Sequence, residues 1–167
     1  SSEVIRQANS AGNAVVRAMP NTAISIGESM TCLSTTCVEA DVVQECVDMF
    51  DLLGTTLVID EEQMTPATAL CACGIAFFLR AIRAASQGGI EIGFHAEDAL
   101  AMAAQTARGA ASLLLESGKH PEGEIDRVTT PMGCTIAGLN QMEHEGFSSA
   151  LIRGIITSAN KAAKLGD

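Results

Sequence analysis

The sequence predicts a mainly α-helical chain with a small α/β portion at its start. Three observations carry that expectation. Before residue 60, three short strand-like runs flank one strongly signed helix; after residue 60, every apolar pattern has helical spacing. The apolar residues make up 47% of a 167-residue chain, enough to build a core. A boundary near residue 60 therefore separates an α/β portion, 1–59, from a helical bundle, 60–167.

The elements follow in order. "AVVRAM" (Ala14–Met19) reads as a strand closed by Pro20 and Asn21. "SMTCLS" (Ser29–Ser34) and "TTLVI" (Thr55–Ile59) read as two more. The helix between them has Thr36 and Glu39 in capping-box positions. Its apolar face is Val42, Val43, Cys46, Val47, Phe50 and Leu53, and Gly54 is its expected stop. Three strands are too few for a complete α/β sheet, so this portion reads as the tail of one.

"MTPATALCACGIAFFLRAIRAASQGG" (Met64–Gly89) is helical, with a break expected near Gly74. A long helix is expected from His95 to Gly118, with Ala99, Ala103, Ala107 and Ala110 on nearly one stripe beside Leu100, Leu113 and Leu114. Such small residues let helices approach closely. "HPEGEIDRV" forms a short helix with Pro121 at its first position. "GCTIAGLNQMEHEG" (Gly133–Gly146) forms another that Gly146 stops, and "SSALIRGIITSANKAAKLG" closes the chain with Leu151, Ile152, Ile155 and Ile156.

Composition excludes some functions. The net charge is −10, which repels phosphate backbones, and with no Trp or Tyr there are few stacking platforms, so nucleic acid is not an expected partner. No apolar run reaches the length of a bilayer span, and "SSEVIRQANS" lacks the layout of a signal peptide, so no membrane is expected either. The cysteines at 32, 37, 46, 71, 73 and 134 lie mostly within apolar patterns, as small buried thiols do. A reducing, cytoplasmic setting follows.

The stretch richest in chemistry is "DRVTTPMGCTIAG" (Asp126–Gly138). Its helix is expected to begin near Gly133 or Cys134, where unpaired N–H groups and the helix dipole favour an anion. The Thr130 and Thr135 hydroxyls stand ready to add a bond each; the plainer alternative is that these threonines only cap and turn. Cys71 and Cys73 are two apart on a helix and do not face each other, and no second pair completes a metal site. His95, His120 and His144 read as capping or surface residues. There is no G-x-G-x-x-G after a strand and no P-loop, so these residues by themselves hold no dinucleotide site.

Three segments in order resemble the pyrroline-5-carboxylate reductases. "VVRAMPNTAISIGESMTCL" (Val15–Leu33) is similar to the end of that family's dinucleotide domain, which reads R-x-M-P-N-T-P, then V-G, then G-x-T. "ATALCACGIAFFLRAI" (Ala67–Ile82) aligns with its T-A-L-S-G-S-G-P-A-Y segment. "DRVTTPMGCTIAGLNQMEHEGFSSALI" (Asp126–Ile152) resembles its V-[TCS]-S-P-G-G-T-T-I-x-x-L loop and the E-x-x-G-F run beyond.

The resemblance implies a helical dimerisation domain, of the 6-phosphogluconate dehydrogenase C-terminal type, preceded by the last strands and helix of a Rossmann domain. On this reading residues 1–59 are the Rossmann remnant and 60–167 the dimerisation and substrate-binding domain. It implies NAD(P)H-dependent reduction of 1-pyrroline-5-carboxylate to L-proline, with NADPH or NADH as cofactor. The partners implied are a small-molecule substrate and a second copy of the chain, in a dimer or larger ring. Thr130, Gly133, Cys134 and Thr135 would cradle the substrate, with Thr135 catalytic at the ring nitrogen. Met19, Pro20, Asn21 and Thr22 would lie near the nicotinamide. Because the glycine-rich turn is not in this sequence, these residues alone are expected to be inactive. Two rival readings are a non-catalytic oligomerisation module and a reductase of a related cyclic imine.

The sequence departs from the family pattern at three places. Ala23 replaces a proline. Cys71–Ile75 replaces Ser-Gly-Ser-Gly-Pro and should make its helix more continuous. Met132 replaces a glycine; a left-handed backbone there would strain methionine, and any other would leave it a wall of the pocket.

Overall fold

A computed structural model describes residues 14–35 and 39–165. Among the described residues the chain is mainly helical with one three-stranded sheet. The described residues up to Ala76 and from Arg153 onward form one compact unit, and Phe77–Ile152 form the other.

In the first unit, β1 (Arg17–Met19), β2 (Ser29–Ser34) and β3 (Gly54–Val58) lie in that order. β1 runs antiparallel to β2, with Arg17 opposite Ser34. β2 runs parallel to β3, with Ser29 opposite Gly54 and Leu33 opposite Val58. A parallel pair needs a crossover, and helix α1 (Ala40–Asp51) provides it. As the central strand, β2 is covered on both faces: Thr31, Cys32, Leu33 and Ser34 are all buried.

All three expected strands are present, although β1 spans only Arg17–Met19 of the expected Ala14–Met19, and β3 runs Gly54–Val58 rather than Thr55–Ile59. The α1 face expected from spacing is present at Val42, Val43, Cys46, Val47 and Phe50, which are half-buried, whereas Leu53 lies past the helix end and is exposed. Both boundaries of the helix differ as well. The N-cap is Glu39, which makes no side-chain cap bond, so α1 starts later than a Thr36 cap would place it; Thr36 lies outside the described residues. Nor does Gly54 end the helix. Leu52 is the C-cap, and Gly54 opens β3 at φ +145. There a Cβ would collide with the backbone of Ser29, so the register of β2 against β3 demands glycine.

Helix α2 (Glu61–Glu91) is one unbroken segment of 31 residues. It starts with a reciprocal capping box: the Asp60 side chain accepts from the Gln63 backbone, and Gln63 Oε1 accepts from Asp60 N–H at 3.2 Å. The expected break near Gly74 does not occur. The chain instead winds as a π-helix over Thr68–Cys73 and tightens to α at Gly74. An inserted turn of wider winding absorbs an extra residue without ending the hydrogen-bond ladder.

Counting uninterrupted apolar runs also understated this helix. Its most apolar 18 residues have a mean hydropathy of 1.6, so by length and composition it is able to span a bilayer. Averaging tolerates the Thr, Ser and Arg residues that end a strict run.

The second unit holds the end of α2 and then α3 (Ala96–Ser117), α4 (Pro121–Val128), α5 (Cys134–His144) and the start of α6 (Phe147–Ala163). α3 matches its expected span, between His95 as N-cap and Gly118 as C-cap. It crosses α2 closely: a Cβ on Gly89 would lie 3.0 Å from that of Ala99. Ala99 is buried and Ala103 and Ala107 are half-buried, so most of the small stripe faces its own chain. Ala110, Leu100 and Leu113 face outward.

Candidate active site

Two clusters carry the residues singled out from sequence. The first follows β1. Asn21 caps a 3-10 helix, Thr22–Ile26, its Oδ1 accepting from Ala23 N–H at 3.0 Å. Its Nδ2 donates to the carbonyl of Cys71 at 3.5 Å, in the π-wound part of α2. Its backbone N–H donates to Ser29 Oγ at 3.2 Å, and Ser29 Oγ shares a hydrogen bond with Thr31 Oγ1 at 3.1 Å. Asn21 is thus spent on holding the loop. Met19 is half-buried, whereas Pro20 and Thr22 are exposed. The Thr22 hydroxyl has no partner among the described residues, so the loop's outward polar group is Thr22.

Beneath this loop, the buried Cys32 thiol of β2 lies beside Cys71. Burial, then the neighbouring Cys71 thiol, push its pKa up from 9.0 to about 11. Cys46, Cys71 and Cys73 are half-buried and Cys134 is exposed, so among the described cysteines only Cys32 is the buried thiol that apolar patterning predicts. Cys37 lies outside the described residues.

Nearby, Arg17 donates to Glu61 Oε1 at 2.9 Å while Ser34 Oγ donates to Glu61 Oε2 at 3.0 Å. This link ties β1 and β2 to the start of α2. Nothing in local spacing joins residues 17, 34 and 61, so the link leaves no sequence signal.

The second cluster is the turn into α5. Gly133 N–H donates to the Thr130 carbonyl at 2.9 Å, which closes a β-turn with Pro131 and Met132 at its centre. Proline suits the second position of such a turn, and its third position takes a left-handed backbone. Met132 has φ +58, the sole positive value on a non-glycine residue among those described. Gly133 is the N-cap of α5 and makes no side-chain cap bond. A Cβ there would stand 2.5 Å from Thr130 Oγ1 and 2.9 Å from Thr130 O, so only glycine fits.

The threonines do not cap α5. Thr129 Oγ1 donates back to the Ile125 carbonyl at 2.7 Å, inside α4. The Thr130 and Thr135 hydroxyls are exposed and have no hydrogen-bond partner among the described residues. The first-turn amides of Cys134, Thr135 and Ile136 are likewise unpaired, and the first turn of α5 holds no acidic residue. Three free amides and the positive end of a helix dipole mark the start of α5, with two free hydroxyls at Thr130 and Thr135 in the same turn and first helical turn, a donor set that suits a small anion carrying a hydrogen-bond acceptor.

His120 Nδ1 accepts from Glu122 N–H at 3.3 Å and caps α4. His95 is an N-cap by backbone alone, and His144 sits in the last turn of α5.

The family profile described as pyrroline-5-carboxylate reductase dimerisation matches residues 61–165. The chain belongs to this family. A Dictyostelium discoideum protein named pyrroline-5-carboxylate reductase 1 is 61% identical over 163 residues, covering 90% of this chain and 30% of that protein. Among solved structures, a pyrroline-5-carboxylate reductase from Coxiella burnetii superposes with a TM-score of 0.94 at 24% identity, over 99% of this chain and 62% of that one. A pyrroline carboxylate reductase from Plasmodium falciparum, solved with NADP bound, gives 0.88 at 24% identity, over 98% and 66%. The chain therefore spans from under a third to about two thirds of the length of these relatives. Within this family's dimerisation segment lie both the π-wound stretch of α2 and the turn at Met132.

Proposed function

We propose that the protein of which this chain forms part reduces 1-pyrroline-5-carboxylate to L-proline with NADPH or NADH, in a reducing, cytoplasmic setting. The reading divides the chain into the end of a Rossmann domain, 1–59, and a dimerisation and substrate-binding domain, 60–167. The observation that carries it is the turn into α5, with its unpaired amides beside two unpartnered hydroxyls. The substrate is a small ring with a carboxylate and an imine nitrogen, and such a surface offers donors for both.

The carboxylate accepts from the amides of Cys134 and Thr135 at the helix start and from the Thr130 hydroxyl; bonds of this kind to an ionised acceptor are the stronger ones. Gly133 keeps the turn tight enough for Thr130 to share that surface. The Thr135 hydroxyl donates to the ring nitrogen. It orients the C=N bond and supports the charge on nitrogen as that atom takes up a proton.

The cofactor, when bound, supplies the hydride that adds to the imine carbon. Met19, Pro20, Asn21 and Thr22 would hold its nicotinamide end. The fit rests on the loop itself: Asn21 rigidifies it from within, and exposed Thr22 carries a hydroxyl that would donate to a carboxamide. Self-association, as a dimer or a larger ring of dimers, covers the apolar side chains that the second unit leaves open.

The test follows NADPH oxidation by the full-length gene product on added 1-pyrroline-5-carboxylate. Wild type should turn over. Thr135→Ala should lower kcat about tenfold to a hundredfold, as expected for losing a positioned donor. Absence of wild-type turnover would favour a non-catalytic oligomerisation module, and a Thr135→Ala enzyme as fast as wild type would remove Thr135 from its role.

A further inference from the structure

We propose that Met132 is a specificity-determining side chain of the substrate cradle, closing over the apolar ring of a small cyclic imine carboxylate. The inference rests on the function proposed above and goes beyond it to the way ring size is read.

The starting observation is a conflict. At φ +58 an L-residue other than glycine, asparagine or aspartate is disfavoured, because its Cβ crowds the backbone. Such strain is usually offset by packing, yet Met132 packs on nothing in its own chain: it is fully exposed, at 101%. Pro131 before it and the closed Thr130–Gly133 turn hold the backbone in place, so the side chain has no route out of the strained conformation. A glycine would make the same turn at no such cost. The stability of this chain gains nothing from methionine at 132.

The cradle supplies what is missing. Its amides and hydroxyls answer the carboxylate and the nitrogen of a ring substrate, but the ring also presents methylene groups. Met132 is adjacent to the N-cap of α5 and two residues from Thr130, so it is the large apolar side chain of the turn itself. An unbranched thioether adapts its shape to a small ring and excludes water from it. A strained, exposed residue at the rim of a proposed site points to function there.

The experiment compares full-length wild type with Met132→Gly and Met132→Asn, both of which tolerate a left-handed backbone and so retain the fold. Steady-state kinetics with NADPH use the five-membered imine carboxylate and its six-membered homologue. Loss of the apolar wall should raise KM for the five-membered ring about fivefold to tenfold, the order of one or two methylene contacts, with kcat within about twofold. Discrimination between the two rings should shrink by a similar factor in both variants. If wild type turns over while both variants keep its KM and ring preference, the inference is wrong. Unchanged kinetics with weakened self-association would also overturn it and assign Met132 to a subunit contact. If wild type shows no turnover, the parent reading fails and the inference falls with it.

Discussion

Five of the six residues in the central strand Ser29–Ser34 are buried, whereas in the whole of Phe77–Ile152 only Ser86 and Ala99 are. The sheet unit makes its own core from Thr31, Cys32, Leu33 and Met64. The helical unit turns Phe78, Leu79, Leu100 and Leu115 outward, at 59%, 59%, 47% and 86% exposure. Exposed apolar surface on that scale marks an interaction face. The difference teaches that the sheet unit has a core of its own around β2, although Ile26 and Leu52 are exposed there too, whereas the helical unit buries almost nothing by itself. The matching dimerisation profile, residues 61–165, includes all of that helical unit.

The largest expected effect tests the self-sufficient half. Gly54→Ala places a Cβ into the Ser29 backbone at φ +145 and should cost about 3 kcal/mol in chemical denaturation. A loss below about 1 kcal/mol would mean that the β2–β3 register is softer than the structure shows. The next tests the open half. Leu100→Glu puts a charge on the exposed side of α3, where the chain itself has little to lose. Sedimentation should show self-association weakened by about tenfold or more, and the melting temperature should lose its dependence on protein concentration. An unchanged assembly would place the covered face elsewhere.

The smallest effect reads the packing under the Asn21 loop. Cys32 ionises near pH 9 when unfolded and near 11 when folded. The folded state therefore keeps its proton while the unfolded state loses it, so this group's stabilisation is complete below pH 9 and is lost as pH rises toward 11. The loss should be on the order of 1 kcal/mol, measured as the difference in slope between wild type and Cys32→Ala across that range. Parallel slopes would show that the thiol is not desolvated.

Much of this was legible in the chain. The strand near Thr55 follows from a β-branched run, and that at Ser29–Ser34 from a short apolar stretch bounded by Gly27 and polar residues. The span of α3 follows from His95 and Gly118. The turn into α5 follows from Thr130, Pro131 and Gly133. What could not be read has a common cause: it depends on residues distant in sequence or on a backbone angle. The antiparallel then parallel pairing is such a case, because strand direction leaves no periodicity. The link from Arg17 through Glu61 to Ser34 is another, as is the meeting of Cys32 with Cys71. Gly54 looked like a helix stop because its local signal is the same whether a helix ends or a strand passes close by.

The sequence by itself determined the kinds and order of the elements, and the residues that crowd the turn into α5. Hydrophobic period and capping chemistry are local, and local terms suffice for that. Only the tertiary structure decided that the Thr130 and Thr135 hydroxyls are left free rather than used as caps, that Thr68–Cys73 winds as a π-helix, and that Met132 stands in the left-handed region. Each of these is a choice between conformations of nearly equal local energy, and contacts beyond the segment, or the closure of a turn around it, tip the balance.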